Sequence, residues 1–397
     1  MKKILVILGF ASALLASCSK NEIIDPKERF GFDTYAMRTK AGSTYVGGSK
    51  TATTNIPVGG KFGVFAYFHP GDVSTSTTGV WNSADVNLNY SDMLLNEAVT
   101  RVEPSTGTYA YTYASTRYWP KNETDRISFF AYYPYAANAF IVEEGAAGDG
   151  TGITLQDPED DHYGYSHNPV GFPKFKFSVN TDASKQVDFM ISDMCLNQSK
   201  KAGYTTGDDG VVKFTFHHML SQIRIKTVDF VVDNEDVDVE LVDFSFLGVP
   251  VSGIVTPSIT SAPDAKGNAA MGFSWSGLNS SNSKFTASIY DDSATEAEKQ
   301  AAIMLMIPHT FSEDEGKDIV EVTFKVKRKT NAAGEHYEYT GHLSTSLASG
   351  GLSAWERNKI YNYTISVRLN AISLSAEVED WPEASTDVNT IRVDLES

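Results

Sequence analysis

The chain has almost no cysteine, two residues (Cys18 and Cys195) in 397. A disulfide framework is therefore excluded as the source of stability, and no paired-cysteine metal spacing exists. Basic residues are short as well. With 33 Lys and Arg against 50 Asp and Glu, and a formal net charge of −17, the chain lacks the footprint of a nucleic-acid binder. No P-loop, no G-x-G-x-x-G opening a helix, no G-x-S-x-G and no H-E-x-x-H occurs. The expectation is no catalytic residue, no cofactor and no metal, and hence no enzyme. No repeat with a period of ~20 to 50 residues is visible, which disfavours solenoids and propellers. The N-terminal stretch 4–16 is apolar but shorter than the ~20 residues that a transmembrane helix needs.

That stretch follows Lys2 and Lys3 and ends in Leu15-Ala16-Ser17-Cys18, the layout of an export signal. Leu-Ala-Ser-Cys resembles a bacterial lipobox, in which the cysteine is coupled to a diacylglycerol and becomes the first residue after cleavage. Residues 1–17 then read as a lipoprotein signal peptide and Cys18 as the lipid attachment site. Acyl chains such as palmitate contribute about 0.8 kcal/mol per buried methylene, enough in combination to hold a domain at a membrane. Ser19, where Asp would mark retention at the inner membrane, points by analogy to the cell outer membrane. Cys195, in FMISDMCL, reads as a buried, inert thiol.

The rest is rich in Tyr, Phe, Thr, Ser and Gly, in short apolar runs broken by Gly, Asn, Asp and Pro, the pattern of an all-β sandwich protein. Strands are expected at 29–35, 61–68 (KFGVFAYF), 108–113, 126–133 (RISFFAYY), 174–179 (KFKFSV) and 186–191. Their alternation predicts one buried and one wet face, with Phe175, Phe177 and Val179 together on one side. A polar, Gly-rich stretch at 197–210 marks a domain boundary. Further strands are expected at 211–216, continuing to Ile225, and at 237–247, 284–290, 303–307, 319–326, 336–343, 361–369 and 372–378. One short helix is expected after Ser293, with Glu296 closing a capping box. The domain division is 1–17 signal, 18–38 pro-segment with a first strand, 39–200 and 201–381 two β-sandwiches, and 382–397 a tail.

Few residues invite chemistry. His217-His218 is the obvious metal candidate, but neighbours on a strand point to opposite faces, so one imidazole belongs in the core and the other at the surface. The acidic runs 157–161, 233–240 and 313–315 lack EF-hand spacing and read as solvated loops. Asp292-Ser293-Ala294 resembles an O-glycosylation acceptor.

Taken in order, the strings KFGVFAYF, RISFFAYYPY, QVDFMISD (186–193), FTFHHMLSQIRIKT (214–227), IMLMIP (303–308) and WERNKIYNYTISV (355–367), leading to Glu379-Asp380-Trp381, resemble the fimbrillin family, the Mfa-like lipoprotein precursors of type V pili. The resemblance implies two transthyretin-like β-sandwich domains and a pilus subunit or fimbrial adhesin. It also implies an assembly route. A first strand fills its own groove until an Arg-specific protease cuts behind it, and the C-terminal segment of another subunit then takes the vacated place by strand addition. Here the first strand lies within RFGFDTYAMR (29–38), with Phe30 and Phe32 as anchors and Arg38 as the preferred cleavage site, Arg29 the second choice. Trp381-Pro382 stops the last strand, since proline cannot donate to a ladder. The tail closes on TIRVDLES, with Ile391, Val393 and Leu395 on one side, either a donor strand or a final strand of its own domain. The expected partners are other pilus subunits, homo- or hetero-polymeric, the outer membrane through Cys18, the protease and surface ligands of host or bacterium. A surface lipoprotein binding glycans is the competing reading, with Trp81, Trp119, Trp275 and the Tyr-rich stretch 108–118 as a stacking platform.

Overall fold

The computed structural model describes residues 31–36, 56–72, 93–106, 108–115, 117–137, 153–156, 174–200, 211–232, 237–260, 268–281, 283–328, 337–368, 371–381 and 391–393. The chain is nearly all β. The first strands are β1 (Gly31–Ala36), β2 (Lys61–His69), β3 (Leu94–Ser105), β4 (Thr108–Thr112) and β5 (Arg126–Tyr133). They are followed by β6 (Ile153–Gln156), β7 (Lys174–Ser178), β8 (Met190–Ser192), β9 (Met194–Gln198) and β10 (Val211–His218). Next come β11 (Ser221–Val231), β12 (Val237–Leu247), β13 (Ser252–Ile259), β14 (Asn268–Ala269), β15 (Met271–Asn279) and β16 (Lys284–Thr286). After a helix α1 (Glu296–Ala302) run β17 (Met304–Met306), β18 (His309–Thr310), β19 (Ile319–Arg328) and β20 (Tyr337–Ser346). The last are β21 (Ala354–Trp355), β22 (Lys359–Arg368), β23 (Ala371–Asp380) and β24 (Ile391–Val393).

Most of these strands build two face-to-face pairs of sheets, while β18 and β21 form a two-stranded ladder of their own. The first sheet has the order β1-β10-β8-β5-β2-β3-β4 and faces a second, β15-β13-β7-β6. Aromatic rings meet between them, Tyr132 against Phe175 at 5.1 Å and Phe130 against Phe175 at 6.1 Å. The third sheet, β17-β11-β22-β23-β24, faces the fourth, β16-β12-β19-β20. Here Phe246 meets Tyr363 at 6.3 Å and Phe230 meets Phe324 at 5.8 Å. Between β10 in the first sheet and β11 in the third stand only Met219 and Leu220, both fully buried, so one length of chain threads both pairs. Pairing also crosses the expected 197–210 boundary. The second sheet takes β6 and β7 from before it and β13 and β15 from after it, and β14 pairs with β9.

The strict alternation of KFKFSV is realised, with Phe175, Phe177 and Val179 buried and Lys176 turned towards solvent. The expectation of a wet face on β2 and β5 is corrected. In β5 every residue but Arg126 is buried, and in β2 only Lys61 is exposed and Phe68 half-buried. The physical reason is a second core behind the first sheet. Phe65, Tyr67, Phe130 and Tyr132 point towards the second sheet, whereas Phe62, Val64, Phe129 and Ala131 point into a separate cluster with Trp119 and Phe214. The helix is also corrected. Its cap is Thr295, whose backbone N–H donates to Glu298 Oε2 at 2.9 Å, while Glu298 N–H returns to Thr295 Oγ1 at 3.4 Å. Ser293 cannot serve, because its N–H and Oγ both donate to Asp291 Oδ1 at 2.7 Å and hold it in a turn. In the acidic run 233–240, expected as a loop, Asp238 and Glu240 sit instead on the exposed side of β12. Several expected strands are shorter: β8 starts at Met190, β16 ends at Thr286 and β17 spans only Met304–Met306.

Candidate functional site

The candidate site is the slot that β1 occupies. β1 is the outer strand of the first sheet and lies parallel to β10, in register from Gly31 opposite Val211 to Ala36 opposite Phe216. β10 alternates strictly, with Val212, Phe214 and Phe216 buried between half-buried neighbours, so its apolar side faces the second core. Phe32, opposite Val212, enters that core and is 5% exposed.

Four rings surround it. Phe214 of β10 stacks on Phe32 at 6.0 Å and 17°, while Phe62 of β2 and Phe129 of β5 stand edge-on at 6.5 and 6.1 Å. Tyr113, just past β4, stands edge-on at 5.2 Å. β10 and β4 lie towards opposite ends of the sheet, so the sheet curls until its two margins meet at Phe32. β1 is thus the closing strand of a curled sheet. Burying one Phe stabilises by about 1.5–3 kcal/mol, and each aromatic pair adds about 0.5–1.5 kcal/mol. Phe32 thus adds a substantial side-chain term to the ladder that holds β1.

At the other terminus β23 ends at Asp380, Trp381 is buried, and β24 lies antiparallel to β23 with Ile391 opposite Val378 and Val393 opposite Ala376. Its backbone thus borders its own third sheet. Cys18, Arg29, Phe30, Arg38, Leu395 and Trp81 lie outside the described residues, as does the 157–161 acidic run.

The remaining candidates resolve into packing. His218 is buried, its Nδ1 is 2.8 Å from Asp188 Oδ2, and its ring stacks on Trp381 at 4.0 Å and 9°. His217 is half-buried on the other face, with Nε2 2.9 Å from Asp193 Oδ1. The two imidazoles do not converge. Among the described residues no group of three or more His, Cys, Asp or Glu is placed to hold a metal ion. Cys195 is fully buried, its Sγ donating to Lys213 O at 3.5 Å. Trp119 belongs to the second core at 5% exposure, and Trp275 is half-buried with its indole N–H donating to Met219 O at 3.1 Å. These two rings therefore form no open stacking platform.

Sequence reasoning missed two contacts that tie the halves together. Gln186 is buried and its amide clamps β17: Leu305 N–H donates to Oε1 at 2.7 Å, and Nε2 donates to Leu305 O at 3.1 Å. The second is the stack of His218 on Trp381, whose only sequence signal was a tryptophan just before Pro382. Burial raises the phenol pKa of Tyr133 well above its usual value, with the negative charge of Asp188 adding to the effect, and burial lowers that of Arg224.

The profile of the fimbrillin-like family matches residues 49–381. Among solved structures, a fimbrial protein from Bacteroides vulgatus is similar over 89% of this chain and 99% of its own, at 18% identity and a TM-score of 0.54. A candidate cell adhesion protein from Bacteroides uniformis (16% identity, 90% and 100% covered, TM-score 0.43) and a fimbrilin from Porphyromonas gingivalis (9%, 90% and 98%, 0.37) are more distant. A search of the curated proteins finds no match. The structural likeness that carries weight is the first, and at its identity it speaks for the fold; the profile, spanning most of the sequence, speaks for descent. The chain belongs to the fimbrillin-like family.

Proposed function

We propose that this protein is a structural subunit or adhesin of a type V fimbria, exported as a lipoprotein through Cys18 and linked to its neighbours by protease-triggered strand exchange. The observation that carries the reading is the state of β1: a marginal strand, six residues long, whose Phe32 plugs a four-ring aromatic cluster. Cutting the chain at Arg38 frees such a strand to leave, and the vacated slot offers β10 an unpaired edge above an open apolar core. Backbone ladder bonds and a row of alternate apolar side chains are what a donor strand supplies. The tail TIRVDLES has that alternation in Ile391, Val393 and Leu395.

Treatment of the purified protein with an Arg-specific protease tests the proposal. The expected result is a new N-terminus after Arg38 and a ladder of SDS-resistant oligomers, lost when 390–397 is deleted although the truncated chain still melts cooperatively. A cut chain that stays monomeric, or a truncated chain without a thermal transition, overturns it.

A further inference from the structure

The fourth sheet ends in an edge that is unusual for its regularity. β20 pairs with β19 through ten consecutive residues, from Ile319 opposite Ser346 to Arg328 opposite Tyr337, with no bulge. Among the described residues no strand pairs with its other side. Proteins blunt such edges with proline, lysine, a bulge or sheer shortness. The sequence YEYTGHLSTS has none of these. The other long margin, β15, is interrupted by a register shift and by Gly277 at φ +58.

The core-facing side of β20 is incomplete at this margin. Tyr339 lies opposite Val326, which is 5% exposed, yet Tyr339 itself is 54% exposed. Next to it on the same side is Gly341, opposite Phe324, whose ring would come within 2.6 Å of any added Cβ. The aromatic side chain without cover and the gap without a side chain are two residues apart, which is the spacing that self-pairing needs.

We propose that β20 pairs with β20 of a second copy of this chain, antiparallel, about a two-fold axis at Thr340. In that register Tyr339 of each copy stands opposite Gly341 of the other, where an aromatic ring covers the bare backbone. Tyr337 stands opposite Leu343, and Glu338 opposite His342, an attractive pair on the outer side. His342 Nδ1 and Thr323 Oγ1 are 3.0 Å apart, and Glu338 also meets Lys325 at 3.0 Å, so both groups are already oriented within their own sheet. Centring the pair on Gly341 would set glycine against glycine. The contact is lateral and independent of the exchange of terminal strands.

Sedimentation velocity on the uncut chain starting at Ser19 should find a reversible dimer. Thr340→Lys sets two ammonium groups against each other at the axis and should weaken the dimer at least about tenfold without moving the melting temperature, Thr340 being exposed. Thr340→Cys should give a disulfide-linked dimer on mild oxidation, because directly opposed Cα atoms lie about 4.5–5.5 Å apart and Cys195 is buried. A cysteine at Glu240, on the exposed side of β12, should not cross-link. The dimer should persist when 390–397 is deleted. A monomeric wild-type chain, a dimer indifferent to Thr340→Lys, or one that vanishes with the tail, which would make the tail the occupant, overturns the proposal.

Discussion

Replacing Phe32 with alanine isolates the question of whether β1 is a separable piece. The ring is 5% exposed and touches Phe62, Tyr113, Phe129 and Phe214 at centroid distances of 5.2 to 6.5 Å. Truncating a buried Phe to Ala costs about 3–5 kcal/mol, the spread reflecting how well the site collapses. In an ordinary core position that cost would appear as a loss of global stability. At an edge strand paired with one neighbour through six residue pairs, the expected outcome is that β1 leaves while the sheet behind it persists. Hydrogen exchange reads the difference. The amides of β10 that face β1, between Val211 and Phe216, should lose protection by a factor of about 100 or more, at ~1.4 kcal/mol per factor of ten, while β2 and β5 keep theirs. A uniform loss of protection with a fall in melting temperature would refute the reasoning, because β1 would then be integral to the sheet. No change in either would refute the packing itself.

Gln186→Ala should cost about 1–3 kcal/mol in urea denaturation, because it strips partners from the Leu305 N–H and C=O. Trp381→Ala, removing a ring 1% exposed and stacked on His218, should cost about 3–5 kcal/mol by the same assay. Stability should hold up to pH ~10 and then fall. Burial raises the phenols of Tyr67, Tyr133 and Tyr363 and pushes Tyr361 up to about 12, so the unfolded chain releases protons first and the folded form weakens as pH climbs from the ordinary value of 10.0. The slope is up to ~1.4 kcal/mol per pH unit for each tyrosine, and an unfolding free energy flat from pH 9 to 12 would contradict this.

The legibility of this fold in its sequence follows sheet chemistry. Where one side of a strand is wet, as in KFKFSV, period-two alternation located the strand and its buried face. In GVFAYF and SFFAYY both sides are buried, so the unbroken apolar run was the signal and alternation the wrong template. β3 was missed because its charged residues look like a loop, although Arg101 is buried with its guanidinium donating to Ile56 O at 2.5 Å. β13 and β15 were missed because Pro257, Gly272 and Gly277 read as turns. The anchor Phe32 was legible as an aromatic in a short strand. Its partner was not, since β10 lies some 180 residues further along the chain and no local pattern encodes that pairing. The same limit hid the Gln186 clamp, whose bond spans 119 residues.

The direction of β1 has a mechanical consequence. A strand lying side by side with β10 and pulled along its own axis is loaded in shear, so its ladder bonds must fail together rather than peel one after another. Phe32, wedged among four rings near the start of the strand, acts as a barb against sliding. Because β10 runs almost without interruption into β11, traction on whatever fills that slot passes straight into the backbone that traverses both pairs of sheets.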